Sequence, residues 1–255
     1  MYHDVIIEFS QITDTFNFSK AQQIQIEAEQ NNARIINKDA ICKFVGGLSY
    51  PLYYLDFETF QQAIPDGKGI RPFIQIPLQY SIHIEREDST LEHKEFLAEE
   101  GVDPRYELAK RLAEDIPTDV TVLAYNMGFE KGVIKKLAEM FDEFASSLMH
   151  IHDNIQDLMI PFQKKDYYTP SMKGSYSIKY VLPALVPEMA EAYEELDDVQ
   201  NGGEAMQTYA KLANMEDEQE VARLRESLLR YCELDTMAMV KILEKLKTNT
   251  ILTAC

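Results

Sequence analysis

The apolar run Leu52-Tyr53-Tyr54-Leu55 breaks at Asp56, resumes at Phe57 and breaks again at Glu58. Strand side chains alternate between faces, so the pattern predicts a strand over residues 52–59. Asp56 and Glu58 then share one face, and Phe57 turns the other way, toward a core. Gln79 to Glu87 and Leu91 to Phe96 also alternate, and Asp88-Ser89 between them predicts a hairpin. Val120 to Tyr125 is a continuous apolar and β-branched run, the mark of a buried strand. After a turn at Gly128 the period changes. Val133, Ile134, Leu137, Ala138 and Phe141 recur at helical spacing, which puts Glu130 in the first turn of a helix. Leu224, Leu228, Met237, Val240 and Leu243 predict a long late helix from about Glu218 to Lys247, preceded by one from about Glu204 to Leu212.

Weaker patterns fill the remainder. Ser19 and Gln22 form a capping box for a helix running to about Ile36. Asp39 caps a second helix, with Ile41, Phe44 and Val45 on one face and Gly46-Gly47 at its end. Asp103 caps a helix that Pro104 starts. Residues 144–162 read as helix, and Ser177 caps a short helix over Ile178–Leu182 that Pro183 ends. Three antiparallel strands, a helix and then a buried strand make a mixed α/β sheet flanked by helices, with the fifth strand unplaced. The loop over residues 61–77 holds Pro65, Gly67, Gly69, Pro72 and Pro77 and leaves the first strand just past its two acids. Lys68 and Arg71 in it are candidate phosphate contacts. Tyr167, Tyr168, Tyr176 and Tyr180 cluster around Gly174. Such aromatics either stack on unpaired bases or fill a core.

Composition narrows the function classes. At 255 residues and 45% hydrophobic, the chain can bury a full core. It has no run of about 18 apolar residues for a membrane helix and no basic stretch followed by an apolar one for a secretory leader, so a cytoplasmic protein without a membrane partner is expected. Cys42, Cys232 and Cys255 lack Cys-x-x-Cys spacing, and the pair His150 and His152 lacks partners in a matching context, so zinc is not expected. The net charge of −18 excludes a protein that holds nucleic acid by bulk positive charge. It does not exclude a nuclease, because bound divalent ions supply the local positive charge.

Two ionised carboxylates side by side repel unless one takes a proton or a cation lies between them. For Asp56 and Glu58 the fitting cation is a hard one, Mg²⁺ or Mn²⁺. The bland alternative is a strand end facing water. Tyr231 and Asp235 stand four residues apart on one face of the late helix, where a phenol can orient a metal-bound water. Glu130 either joins such a site or merely complements the helix dipole.

Together these segments resemble the DEDD superfamily of RNase H-like 3′→5′ exonucleases, in its tyrosine-bearing DEDDy branch. Asp56 and Glu58 match the first motif; Asn126, Phe129 and Glu130 match the second; Tyr231 and Asp235 match the third. Glu130 departs from the usual aspartate by one methylene; Asp157 is the second candidate for its place, Asp153 a further one. More narrowly, Tyr53–Thr59 and Gly174–Pro183 resemble a bacterial family called domain of unknown function 2779. The likeness implies an RNase H-like mixed sheet over residues 51–248, after a helical N-terminal extension over 1–50 and before a tail over 249–255. It implies two divalent ions, Mg²⁺ or Mn²⁺, held by Asp56, Glu58, Glu130 and Asp235, with Tyr231 positioning the attacking water. It implies a single-stranded DNA or RNA substrate met by Phe57, Thr59 and Asn126, alongside Lys68, Arg71 and Tyr176, and leaves room for a fused or associated nuclease- or helicase-type domain. The alternatives are a decayed nucleic-acid-binding or scaffold module and an endonuclease of the same fold.

Overall fold

The computed structural model describes residues 8–12, 17–61, 71–196, 198–212 and 215–251. In chain order the elements are α1 (Lys20–Asn31), β1 (Ile35–Ile36), α2 (Lys38–Gly46), β2 (Leu52–Phe60), β3 (Ile76–Glu85), β4 (Leu91–Leu97), α3 (Arg105–Asp115), β5 (Thr121–Ala124), α4 (Gly128–Met140) and α5 (Asp142–Asn154). There follow β6 (Ile155–Asp157), α6 (Ile160–Gln163), β7 (Tyr167–Tyr168), α7 (Ile178–Leu185), α8 (Pro187–Glu194), α9 (Gly202–Leu212) and α10 (Glu218–Ile251). The chain divides into two compact units, one of residues 1–47, 159–188 and 242–255, the other of residues 48–158 and 189–241.

The larger unit is built on a five-stranded sheet in the order β4-β3-β2-β5-β6. β2, β3 and β4 run antiparallel, and β2, β5 and β6 run parallel. This is the RNase H-like mixed sheet expected from the sequence. The fifth strand is Ile155–Asp157, within the stretch expected to be helical to residue 162. Three residues are too few to show alternation, so its pairing with Val122–Ala124 is visible only in three dimensions.

One face of the sheet carries Tyr53, Leu55 and Phe57 of β2 with Tyr80, Ile82 and Ile84 of β3. They pack with α3, α4 and α5 residues such as Leu108, Leu112, Ile134, Leu137 and Leu148 into one apolar cluster. The opposite face holds the polar positions. Asp56 pairs with Ser81 and Glu58 with Gln79 across the β2–β3 ladder, so these side chains share a face. α10 is tied to it by buried hydrogen bonds. Gln79 Nε2 donates to the Leu228 carbonyl at 2.9 Å, and Thr236 Oγ1 lies 2.8 Å from Ser81 Oγ and 2.7 Å from His83 Nδ1. Leaving one such buried group unpaired costs about 1–3 kcal/mol, so the network fixes where α10 sits on β3, the strand paired with the one that bears the acids.

The smaller unit contains α1, α2, the antiparallel pair β1–β7, α6 and α7. The Ser19–Gln22 capping box forms as expected, but α1 ends at Asn31, where Asn32 turns left-handed. Asn37 rather than Asp39 caps α2, accepting from the Ala40 amide at 3.3 Å. α7 runs through Pro183 to Leu185, and Ser177 makes no side-chain cap. Among the described residues no helix is long and apolar enough to cross a membrane.

Candidate metal centre

β2 pairs with β5 only from Leu52 to Tyr54, against Thr121 to Leu123. Asp56 and Glu58 therefore stand past the paired stretch, at the carboxyl ends of two parallel strands, where α/β sheets open for ligands. α10 supplies the third acid. One carboxylate oxygen each from Asp56, Glu58 and Asp235 lies within 4.8 Å of the others. The trio can hold a metal ion.

Glu130 is added from the first turn of α4. Its side chain is only 2% exposed, and its Oε2 has no hydrogen-bond partner among the described residues. Its charge is felt at Asp56, although it lies outside the tight trio. Asp157 has a different task. Its Oδ1 accepts from the Asn126 amide at 2.9 Å and its Oδ2 from the Met127 amide at 3.2 Å, which holds the β5–α4 turn in shape. With both oxygens engaged by backbone, it is a poorer ligand than Glu130.

Burial and mutual repulsion raise Asp56, Glu58 and Glu130. Asp56 is carried well above the usual carboxylate range by burial, then by Asp235, Glu130 and Glu58. Burial with Asp235 pushes Glu58 up to about 8, and burial with Asp157 pushes Glu130 up to about 8. A half-buried trio of carboxylates beside the buried Glu130, one of whose oxygens has no hydrogen-bond partner among the described residues, fits a hard divalent cation.

Two tyrosines complete the cluster. Tyr231 is 8% exposed and hydrogen-bonds Asp235. Tyr193, on α8, donates to Asp235 Oδ1 at 2.7 Å and meets the Tyr231 ring edge-on with centroids 6.3 Å apart. Burial and then Asp235 drive both phenols upward, so both stay protonated at neutral pH. No sequence pattern indicated Tyr193, because α8 reaches the cluster only through the fold. Cys232 is also buried here, its Sγ 3.9 Å from Asp56 Oδ2. At the start of α9, a side chain on Gly202 would come within 3.4 Å of Glu58 Oε2, so the glycine lets the backbone approach that acid closely.

The expected substrate residues scatter. Phe57 is a core residue, 3% exposed and edge-on to Tyr80, as strand alternation requires; it does not reach the acids. Thr59 is half-buried beyond an irregularity in the β2 ladder. Asn126 is exposed at the β5–α4 turn with φ of 70°. Arg71 is exposed, and Tyr176 is exposed in the smaller unit. Lys68 lies outside the described residues, with most of its loop.

The raised carboxyls set a pH dependence for the metal-free protein. A carboxyl with a higher pKa in the folded state keeps a proton that the unfolded chain has released, so stability falls as pH rises toward the folded value. His83 acts in the opposite sense below 6.5, since burial and His93 push it down to about 4. The clean window is therefore pH 6.5 to 8. Across it we expect a loss of roughly 1–3 kcal/mol, a melting-temperature drop of several degrees. The slope should shrink in Glu58→Gln/Glu130→Gln, with Asp56 supplying what remains. A wild-type melting temperature that holds or rises over the window contradicts the burial of these acids.

Fold and cluster together define an α/β domain with a carboxylate centre at its strand ends. The family profile of the Domain of unknown function (DUF2779) matches residues 53–177, a stretch holding Asp56, Glu58, Glu130 and Asp157, and the narrower resemblance seen in the sequence is borne out. The chain is 28% identical over 246 residues to an uncharacterized protein of Ureaplasma parvum, covering 87% of this chain and 35% of that one. It is 28% identical over 208 residues to one of Mycoplasma pneumoniae, covering 74% and 31%. To one of Mycoplasma genitalium it is 25% identical over 223 residues, covering 78% and 33%. The chain thus spans about a third of the length of these curated relatives. No solved structure matches.

Proposed function

We propose that this protein is a metal-dependent 3′→5′ exonuclease acting on single-stranded nucleic acid of the cytoplasm. The observation that carries the reading is the convergence of Asp56, Glu58 and Asp235 within 4.8 Å beside the buried, partnerless oxygen of Glu130. Acids are driven together at this cost where cations neutralise them.

Asp56, Glu58 and Asp235 would hold two divalent ions, Mg²⁺ or Mn²⁺, with Glu130 completing the set. When bound, such ions offset charge on a phosphodiester and acidify water. The chain's own residues do the positioning. Tyr193 and Tyr231 both hydrogen-bond Asp235 and hold its carboxylate in one orientation. Because the Tyr231 hydroxyl donates its hydrogen bond to Asp235, the phenolic oxygen keeps a lone pair with which to accept from, and so aim, the attacking water. Its raised pKa makes it an orienting group rather than a base at neutral pH.

Tyr231→Phe should therefore slow turnover by about 100-fold, the cost of a misplaced reactant, while Mn²⁺ affinity stays within a few-fold of wild type. Equal rates for the two proteins would remove Tyr231 from the mechanism. Polarity is tested with linear and circular single strands of one sequence in Mn²⁺. The linear strand should shorten to mononucleotides and the circle survive; opening of the circle at a comparable rate would make the protein an endonuclease.

A further inference from the structure

Charge is divided unequally between the two units. The larger carries 15 Lys and Arg against 34 Asp and Glu, whereas the smaller carries 10 against 9. The use of the cations differs too. In the larger unit Arg86, Lys94, Arg105, Arg111, Arg223, Arg225 and Arg230 each pair with an acid. In the smaller unit Lys20, Lys164, Lys173 and Lys179 are exposed, and among the described residues none of them pairs with an acid. The stretch from Lys164 to Tyr180 contains four lysines, four tyrosines and a single acid, Asp166.

Lys20, Lys164 and Lys165, with Asp166, line a formed cavity of about 560 Å³ whose apolar wall is Ile24, Ile35 and Ile36. Lys165 is 8% exposed; its ammonium lies 4.1 Å over the Tyr168 ring and 3.4 Å from the Gly174 carbonyl. The Gly174 amide in turn donates to Tyr168 Oη at 2.9 Å. Gly174 has a φ of +78°, a left-handed conformation that favours glycine at this turn. That turn carries Lys173 on one side and leads into Tyr176 and Tyr180 on the other, each 42% exposed. Val181, Leu182 and Leu185 of α7 point inward, which leaves Lys179 and Tyr180 on its outer face. Unpaired cations interleaved with exposed rings suit one ligand chemistry, a phosphodiester backbone with unstacked bases.

We propose that the smaller unit is a single-strand nucleic-acid grip, in which Lys20, Lys164 and Lys173 meet backbone phosphates and Tyr176 and Tyr180 stack on bases. The choice of nucleic acid as ligand rests on the nuclease reading above. The grip offsets the handicap of a chain with net charge −18, because the larger unit carries −19 of it and the smaller unit +1.

The test is fluorescence anisotropy of a labelled single-stranded 15-mer, as DNA and as RNA, with the full chain in EDTA, so that binding is read without turnover. Tyr180→Ala should weaken binding about fivefold or more, and Tyr180→Trp should hold it. Lys164→Ala and Lys20→Ala should each flatten the plot of log affinity against log salt by about 0.7. A slope change of this kind does not follow from a structural defect, and all three positions are exposed. Failure of the 15-mer to bind, or affinity and slope unchanged in every variant, overturns the grip; so does preference for a duplex. Variants that lose binding while the wild type cleaves in no metal leave the grip standing and remove the nuclease. Cleavage with binding indifferent to these variants does the reverse.

Discussion

Asp56→Asn is expected to abolish hydrolysis and, in EDTA, to melt at a higher temperature than the wild type. Asp56 is the acid most crowded by its neighbours, with Asp235, Glu130 and Glu58 all raising its pKa on top of burial. An asparagine of the same shape removes the ionisable group, and with it the cost of keeping that site protonated in the fold. Relief of about 1–3 kcal/mol would raise the melting temperature by roughly 2–4 °C per kcal/mol for a chain of this size. The same change removes a shared metal ligand, so turnover should fall by about 1,000-fold or more. Stability gained where activity is lost is the mark of a site held strained for function. Rate and melting curve on one preparation check both halves. A variant that keeps wild-type turnover, or melts lower in EDTA, contradicts the account of the cluster.

The second large effect is metal-dependent stabilisation. At pH 8, Mn²⁺ at about 100 times its dissociation constant should stabilise the folded chain by about 2.7 kcal/mol, a rise of roughly 5–10 °C. At pH 5 the rise should shrink, because Glu58 and Glu130, pushed to about 8, then hold protons that compete with the ion. Asp56→Asn should lose most of the rise at both values. Thermal shift with a divalent series at the two pH values measures it. Equal shifts in wild type and variant would place the ion elsewhere on this acidic surface.

Much of the site was legible because its parts obey short-range rules. Alternation put Asp56 and Glu58 on one strand face, helical spacing put Tyr231 and Asp235 on one helix face, and a period change put Glu130 in a first turn. The sheet followed from the same patterns for strands of four or more residues, and failed for Ile155–Asp157, too short to show a period. Alternation also turns Phe57 away from the acids, and the core position it takes, against its expected contact with substrate, shows that rule prevailing. Tyr193 could not be read, since its contact with Asp235 spans 42 residues and depends on where α8 is carried. Nor could the division of charge between the units, because the smaller is assembled from three separate stretches of chain.

The most direct test of the central claim uses 5′-labelled single-stranded oligonucleotides, one DNA and one RNA, incubated with the protein in Mn²⁺, Mg²⁺ and EDTA, and with Asp56→Asn alongside. The account predicts a ladder that shortens from the 3′ end in the presence of metal and disappears both in EDTA and in the variant. Intact oligonucleotide in every metal, or a ladder that persists in Asp56→Asn, would contradict it.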